Sequence, residues 1–282
     1  MTASTPEGTR NLTNQHYNED PEIFRLFLDP SLKYSSGIYK SEKDTLEQAQ
    51  IRKMHFVAEQ LALVGGDRVL DIGCGWGALV LFLAEHYSCK VVGVTPSERQ
   101  AAFILERAKA RGLADLVSVT CGNFQDTSFS TQTFDAVTLL GSIVHMPDRK
   151  AVLASAYELL REGKRLYVSE TCFRTTQIWR QFDTAPGTSF LRSEIFGAGE
   201  MVPLSFLIEA AEEAKFSLLG LTDLTPHYAR TIGAWKENVR RSQAEIDEIS
   251  PGLARNLLVY FRVGNVGWGR TTKHYALVCG RP

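Results

Sequence analysis

Residues 69–77 read Val-Leu-Asp-Ile-Gly-Cys-Gly-Trp-Gly, an acid followed by glycines at alternate positions. This short stretch constrains the chain more than any other. Arg68 to Ile72 is an apolar run suited to a buried strand, and Ala78 to His86 has helical spacing, so the context is strand, glycine turn, helix. Glycine is required where the backbone takes positive φ or must approach a ligand closely, and the helix behind it offers free amide groups at its partly positive end. The turn is built to hold a polar, nucleotide-like ligand.

Two ligands compete for that description. Gly73, Gly75 and Ala78 satisfy a relaxed dinucleotide fingerprint, which also calls for an acid at the end of the second strand to bind ribose. Here the second strand, Cys89 to Val94, ends in Thr95-Pro96-Ser97, with no acid. Asp71 has no role in the dinucleotide pattern. It suits a donor carrying an ammonium group, such as the methionine part of S-adenosylmethionine, and the methyl donor is the favoured reading over NAD.

The elements around the turn alternate. Helices are expected at Pro21 to Leu28 and Asp44 to Leu63, the latter with Asp44 as N-cap and Glu47 three residues on, stopped by Gly65-Gly66. Strands at Arg68–Ile72, Cys89–Val94, Val117–Thr120, Phe134–Leu140 and Arg165–Glu170 are separated by helices at Ala78–His86, Ser97–Arg111 and Arg149–Leu160. A helix at Pro203–Ala214 and strands at Ser217–Asp223 and Tyr275–Cys279 follow. This order predicts an α/β fold: a doubly wound, seven-stranded, mainly parallel sheet with right-handed crossovers. One domain spanning residues 1–282 is expected, with a helical cap at 10–63, a donor-binding core at 64–170 and an acceptor side at 171–282. Within the last, residues 226–270 carry Ile232, Trp235 and Val239 at helical spacing with Lys236, Arg240 and Arg241 between them. Such a stripe packs on a core or roofs a pocket.

Composition narrows the partners. Lysine and arginine total 31 against 32 acids, so neither nucleic acid nor an anionic membrane is expected as the main partner. The longest apolar run, Ala78 to Ala84, is far short of the roughly 20 residues of a membrane helix, and no signal segment is expected at the start. Cys74, Cys89, Cys121, Cys172 and Cys279 have no paired spacing, which predicts free thiols and a cytoplasmic location. No histidine, cysteine and carboxylate cluster has metal-ligand spacing, so no metal is expected. Residues 1–9 read as disordered, and the Asn11-Leu12-Thr13 sequon as chance.

The motifs then point to a family. Leu70-Asp-Ile-Gly-Cys-Gly-Trp-Gly77, Val91-Val-Gly-Val-Thr-Pro-Ser97 with Gln100, Phe27-Leu-Asp-Pro-Ser-Leu-Lys-Tyr-Ser35 and Thr45-Leu-Glu-Gln-Ala-Gln50 resemble the cyclopropane fatty acid synthase and mycolic acid methyltransferase group of class I methyltransferases. Tyr228, Thr231 and Ala234-Trp235 extend the likeness. The resemblance implies S-adenosyl-L-methionine as cofactor and a Rossmann-like methyltransferase fold whose lid, over residues 226–270, roofs the acceptor. By the same resemblance Asp71, Gly73 and Gly75 hold the methionine part, with Tyr34 and Ser35 folding over it. Thr95 and Gln100 fall at the ribose, and Gly122, Asn123 and Phe124 at adenine. Read without the resemblance, Tyr34 is a packing aromatic, Gln100 a solvated helix residue and Asn123 a turn former.

The acceptor side departs from that pattern. Cyclopropane synthases remove a proton through a bicarbonate ion held by cysteine, glutamate, histidine and tyrosine. Those positions fall on Ser36, Val144, Ser169 and Tyr228, so only the tyrosine remains. Ser142-Ile-Val-His-Met-Pro-Asp-Arg149 instead resembles small-molecule methyltransferases of secondary metabolism. His145, with an ordinary pKa, is a candidate base or a turn-packing residue, and Glu170 at the end of strand five a candidate to orient an acceptor or a solvated carboxylate. Tyr228 completes the catalytic candidates. The favoured function is methyl transfer to oxygen, nitrogen or activated carbon of a hydrophobic small molecule. A cyclopropane or methyl-branched fatty acid synthase, and a protein that binds the donor without transferring methyl, are the alternatives.

Overall fold

The computed structural model describes residues 20–184 and 199–282. The polar start, the sequon and much of the link after residue 173 lie outside them. Seven strands form one sheet in the order β3-β2-β1-β4-β5-β7-β6: β1 Arg68–Ile72, β2 Lys90–Thr95, β3 Val117–Cys121, β4 Phe134–Leu140, β5 Leu160–Phe173, β6 Ser217–Asp223 and β7 Thr272–Gly280. The pairs β1 with β2, β1 with β4, β2 with β3 and β4 with β5 are parallel, whereas β7 runs antiparallel to both β5 and β6. The doubly wound reading holds. All seven residues of β4 are buried, as expected of a parallel strand covered on both faces.

Helices are α1 Pro21–Phe27, α2 Leu46–Gln60, α3 Ala78–Tyr87, α4 Glu98–Ala110, α5 Arg149–Leu159, α6 Thr176–Thr184, α7 Leu204–Glu213, α8 Thr225–Arg241, α9 Gln243–Ile249 and α10 Leu253–Gly264. One apolar cluster unites α2 and α3 with Tyr167, Ala276 and Val278. A second, on the other face, unites α5 and α7 with Val168, Cys172 and Leu277. Alternation along β5 therefore places Ser169 and Thr171 on the Tyr167 face and Glu170 on the Cys172 face.

Three local expectations are corrected. Thr45, not Asp44, caps α2: Thr45 Oγ1 accepts the Gln48 N–H at 3.2 Å while Gln48 Oε1 accepts the Thr45 N–H at 3.0 Å, a reciprocal capping box. Asp44 turns back instead and accepts the amides of Lys40 and Ser41. Strand five runs well past Arg165–Glu170 because β7 pairs with it from Arg165 to Phe173. The link beyond Phe173 also contains α6.

Candidate active site

The strand order reverses between β1 and β4, and ligands of open α/β sheets sit beyond the carboxyl ends at such a switch point. Asp71 stands there on β1, fully buried, with Oδ1 accepting the Thr138 hydroxyl of β4 at 2.8 Å. Its Oδ2 is equally buried and has no hydrogen-bond partner among the described residues. Burial is the main cause that raises the Asp71 pKa, with Lys33, Thr138 and Lys53 opposing. An unmet buried carboxylate oxygen is costly, and a cationic ligand group would satisfy it.

The three glycines of the turn have φ of +78°, +55° and +78° at Gly73, Gly75 and Gly77, where L side chains are strained. Their surroundings differ. A Cβ on Gly73 would overlap Ser142 Cβ, and one on Gly77 would meet Ile104, whereas a Cβ on Gly75 would find nothing within 4 Å. Ser142 in turn donates to the Ile72 carbonyl at 2.6 Å, closing the turn against the loop after β4. Gly73 and Gly77 permit packing of the protein on itself. Gly75 opens space.

On the neighbouring strand, buried Thr95 donates its hydroxyl to Gln100 Oε1 at 2.6 Å, so Gln100 is not the solvated helix residue that position alone allows. Asn123 is exposed, and its amide donates to Asp126 Oδ2 at 3.0 Å across a single helical turn at Phe124–Asp126. Phe124 is buried in the second apolar cluster. It also lines a shallow cleft of about 550 Å³ beside α5 that includes none of the glycine-turn residues.

The N-terminal segment and α8 are joined along their length. Asn238 donates to the Phe27 carbonyl at 3.0 Å, the Tyr34 and Trp235 rings lie 5.1 Å apart, Thr231 Oγ1 accepts the Gly37 N–H at 3.0 Å, and His227 Nδ1 accepts the Tyr39 N–H at 3.3 Å. Arg230 adds bonds to the Ser41 and Glu42 carbonyls. These residues recur about once per helical turn, so an extended strand can follow one face of the helix. The apolar stripe Ile232, Trp235 and Val239 is buried with Phe24, Phe27 and Trp76 of the glycine turn. It therefore packs a core of its own above the sheet edge. Ser35 is anchored from below, its hydroxyl accepting from Lys53 Nζ at 2.8 Å and its carbonyl from Gln50 at 2.7 Å.

At the acceptor end, Tyr228 stacks on Trp268 with centroids 4.3 Å apart and meets His274 edge-on at 4.8 Å. His274 Nδ1 lies 3.2 Å from Thr171 Oγ1. Trp268 and His274 lie outside the motifs, and Lys33 lies within the Phe27–Ser35 motif without a role assigned to it; their importance arises from packing of segments distant in sequence. His145 ends the turn Ile143–His145, and burial pushes its pKa down to about 4, which corrects the expectation of an ordinary value. Its imidazole is neutral at physiological pH. Glu170 lies on the far face, where Oε2 accepts the Val144 N–H at 3.2 Å and Oε1 the Thr171 N–H at 2.8 Å. Burial lifts its pKa to about 7, against the pull of those amides and Arg149. The bicarbonate set does not fit: the Ser36 hydroxyl donates to the Gly37 carbonyl at 3.0 Å, and Val144 and Ser169 carry no imidazole or carboxylate.

Comparison with known proteins decides the family. A family model for mycolic acid cyclopropane synthetase matches residues 5–273. The chain belongs to that family. It is similar to sphingolipid C9-methyltransferase A of Emericella nidulans, 31% identical over 229 residues that cover 79% of this chain and 44% of the relative. It also resembles a probable fatty acid methyltransferase of Pseudomonas putida, 31% identical over 226 residues, 79% of this chain and 57% of the relative. The chain thus spans about half the length of these relatives. Among solved structures, the mycolic acid cyclopropane synthase CmaA1, crystallised with SAH and CTAB, superposes with TM-score 0.87 at 22% identity, covering 98% of this chain and 99% of that one. No helix among the described residues is long and apolar enough to cross a membrane.

Proposed function

We propose that the protein is an S-adenosyl-L-methionine-dependent methyltransferase acting on a hydrophobic, lipid-like small molecule, in a reducing, cytoplasmic setting that suits its five free thiols. The carrying observation is the glycine turn itself: Asp71 Oδ2 buried without a partner beside Gly75, whose Cβ direction is open. The residues fit the donor. Asp71, Gly73 and Gly75 hold its amino acid part, Tyr34 and Ser35 close over it, Thr95 and Gln100 meet the ribose, and Asn123 and Phe124 border the adenine. Bound, the donor supplies an already activated methyl group. The chain's task is then alignment and exclusion of water, which the apolar packing of α1 against α8 serves.

Tyr228 with Trp268 and His274 forms an aromatic wall for an apolar acceptor. His145, neutral above about pH 4, accepts a hydrogen bond from the acceptor's nucleophile and not a ground-state proton. Glu170 acts through the turn: by holding the Val144 amide it positions His145. Support for a lipid-like acceptor comes from the relatives described above, a sphingolipid and a probable fatty acid methyltransferase. Without the bicarbonate ligands, transfer ends at a methylated product and not a ring. Incubating the protein with the donor and lipid or secondary-metabolite extracts, and following S-adenosylhomocysteine release, tests the reading. Donor binding without release under any acceptor would favour the donor-binding alternative.

A further inference from the structure

Lys33 is a second buried charge without a bonded partner, close enough to Asp71 to interact with it electrostatically. It is only 7% exposed, and among the described residues no hydrogen bond or ion pair engages its Nζ. Its backbone is held firmly: the Lys33 N–H donates to Asp29 Oδ1 at 3.0 Å, and its carbonyl accepts from Gln50 Nε2 at 3.3 Å. Leu32, just before it, is held at φ 60°, a left-handed conformation that a branched side chain adopts only under constraint. The turn thus fixes a lysine inward at a conformational cost. Burial lowers its pKa, and of the surrounding groups Asp71 does most to favour the charge.

Lys33 and Asp71 interact electrostatically without bonding to each other, and the Lys33 ammonium and Asp71 Oδ2 each lack a hydrogen-bond partner among the described residues. A ligand carrying an ammonium and a carboxylate on one carbon supplies both. Resting on the donor reading above, we propose that Lys33 binds the α-carboxylate of the donor's methionine part while Asp71 binds its α-ammonium. Lys33 is then the residue that distinguishes an amino acid sulfonium from its decarboxylated counterpart. Lys53 is not equivalent, because its ammonium already donates to Ser35. Charge-assisted bonds made away from water are the strong ones, so the discrimination is expected to be about tenfold or more, the ratio of one such contact.

The test is titration calorimetry of wild type and Lys33→Met with S-adenosylhomocysteine and with its decarboxylated analogue, the aminopropyl thioether of adenosine. Wild type is expected to bind the first about tenfold tighter or better. Lys33→Met is expected to bind both alike, at the wild type's level for the analogue. It should also melt no lower than wild type without ligand, since it removes an unpaired buried amine; Lys33→Gln repeats the measurement if Met folds poorly. Equal weakening toward both compounds, or undiminished discrimination, overturns the assignment. Failure of wild type to bind either compound refutes the donor reading itself and this inference with it.

Discussion

The Tyr34 and Trp235 rings lie tilted against each other with centroids 5.1 Å apart, joining the N-terminal segment to α8. Because Trp235 is 3% exposed and also packs on Phe261, α8 is built into a core with the N-terminal segment and is no free flap. Trp235→Ala is expected to cost about 3–5 kcal/mol of stability and to weaken S-adenosylhomocysteine binding as well as acceptor binding. Thermal melts with and without that ligand read both effects. A folded variant with normal donor affinity and only a raised acceptor KM would show that the lid moves independently of Tyr34.

The glycines of the turn separate by role. Gly73→Ala forces Ser142 aside and is expected to yield little folded protein. The Cβ of Gly75→Val meets no protein atom within 4 Å but carries left-handed strain of about 1–3 kcal/mol, so the variant should fold while its side chain enters the ligand space. Circular dichroism with donor titration distinguishes the two. Unchanged affinity in folded Gly75→Val would remove the ligand from this loop.

Glu170 gives a pH signature. Its carboxyl ordinarily titrates near 4.5 and is raised to about 7 in the fold. Between those values the folded protein keeps a proton that the unfolded chain releases, so this group's contribution to stability falls as pH rises and its full penalty is present above 7. The shift corresponds to about 3 kcal/mol. Glu170→Gln removes that penalty while weakening one amide contact worth about 1 kcal/mol, so the variant should be more stable than wild type at pH 8 and lose the advantage toward pH 4.5. Urea midpoints across this range check it. A variant less stable at pH 8 would mean that the anion is the better-held form.

What the sequence made legible was local or periodic. The glycine turn, the alternation and Asp71 all follow from spacing, and the mainly parallel, doubly wound sheet follows from the alternation and right-handed crossovers, while the strand order came only with the structure. The Asp44 and Thr45 confusion arose because both side chains can cap, and only the Gln48 contact selects Thr45. His145 looked like an ordinary imidazole because burial, which sets its pKa, is made by the whole fold. His274 and Trp268 carried no motif, and Lys33, although inside the Phe27–Ser35 motif, drew no role there, since a lysine becomes informative only when the fold buries it beside Asp71. The alternation also hid which face of β5 carries Glu170 until the neighbouring strands were placed.

The absence of bicarbonate ligands at Ser36, Val144 and Ser169 makes a separate claim. Turnover is expected to be unchanged when dissolved bicarbonate is removed. A rate that falls on depletion and recovers on addition would show that other side chains hold the ion.

The most direct test uses a donor whose methyl group carries deuterium, with mass and proton spectra of the isolated product. Transfer to a nucleophile, as proposed here, leaves all three deuterium atoms in the product. Loss of one deuterium together with a cyclopropane proton signal would contradict it and identify the chain as a ring-forming synthase.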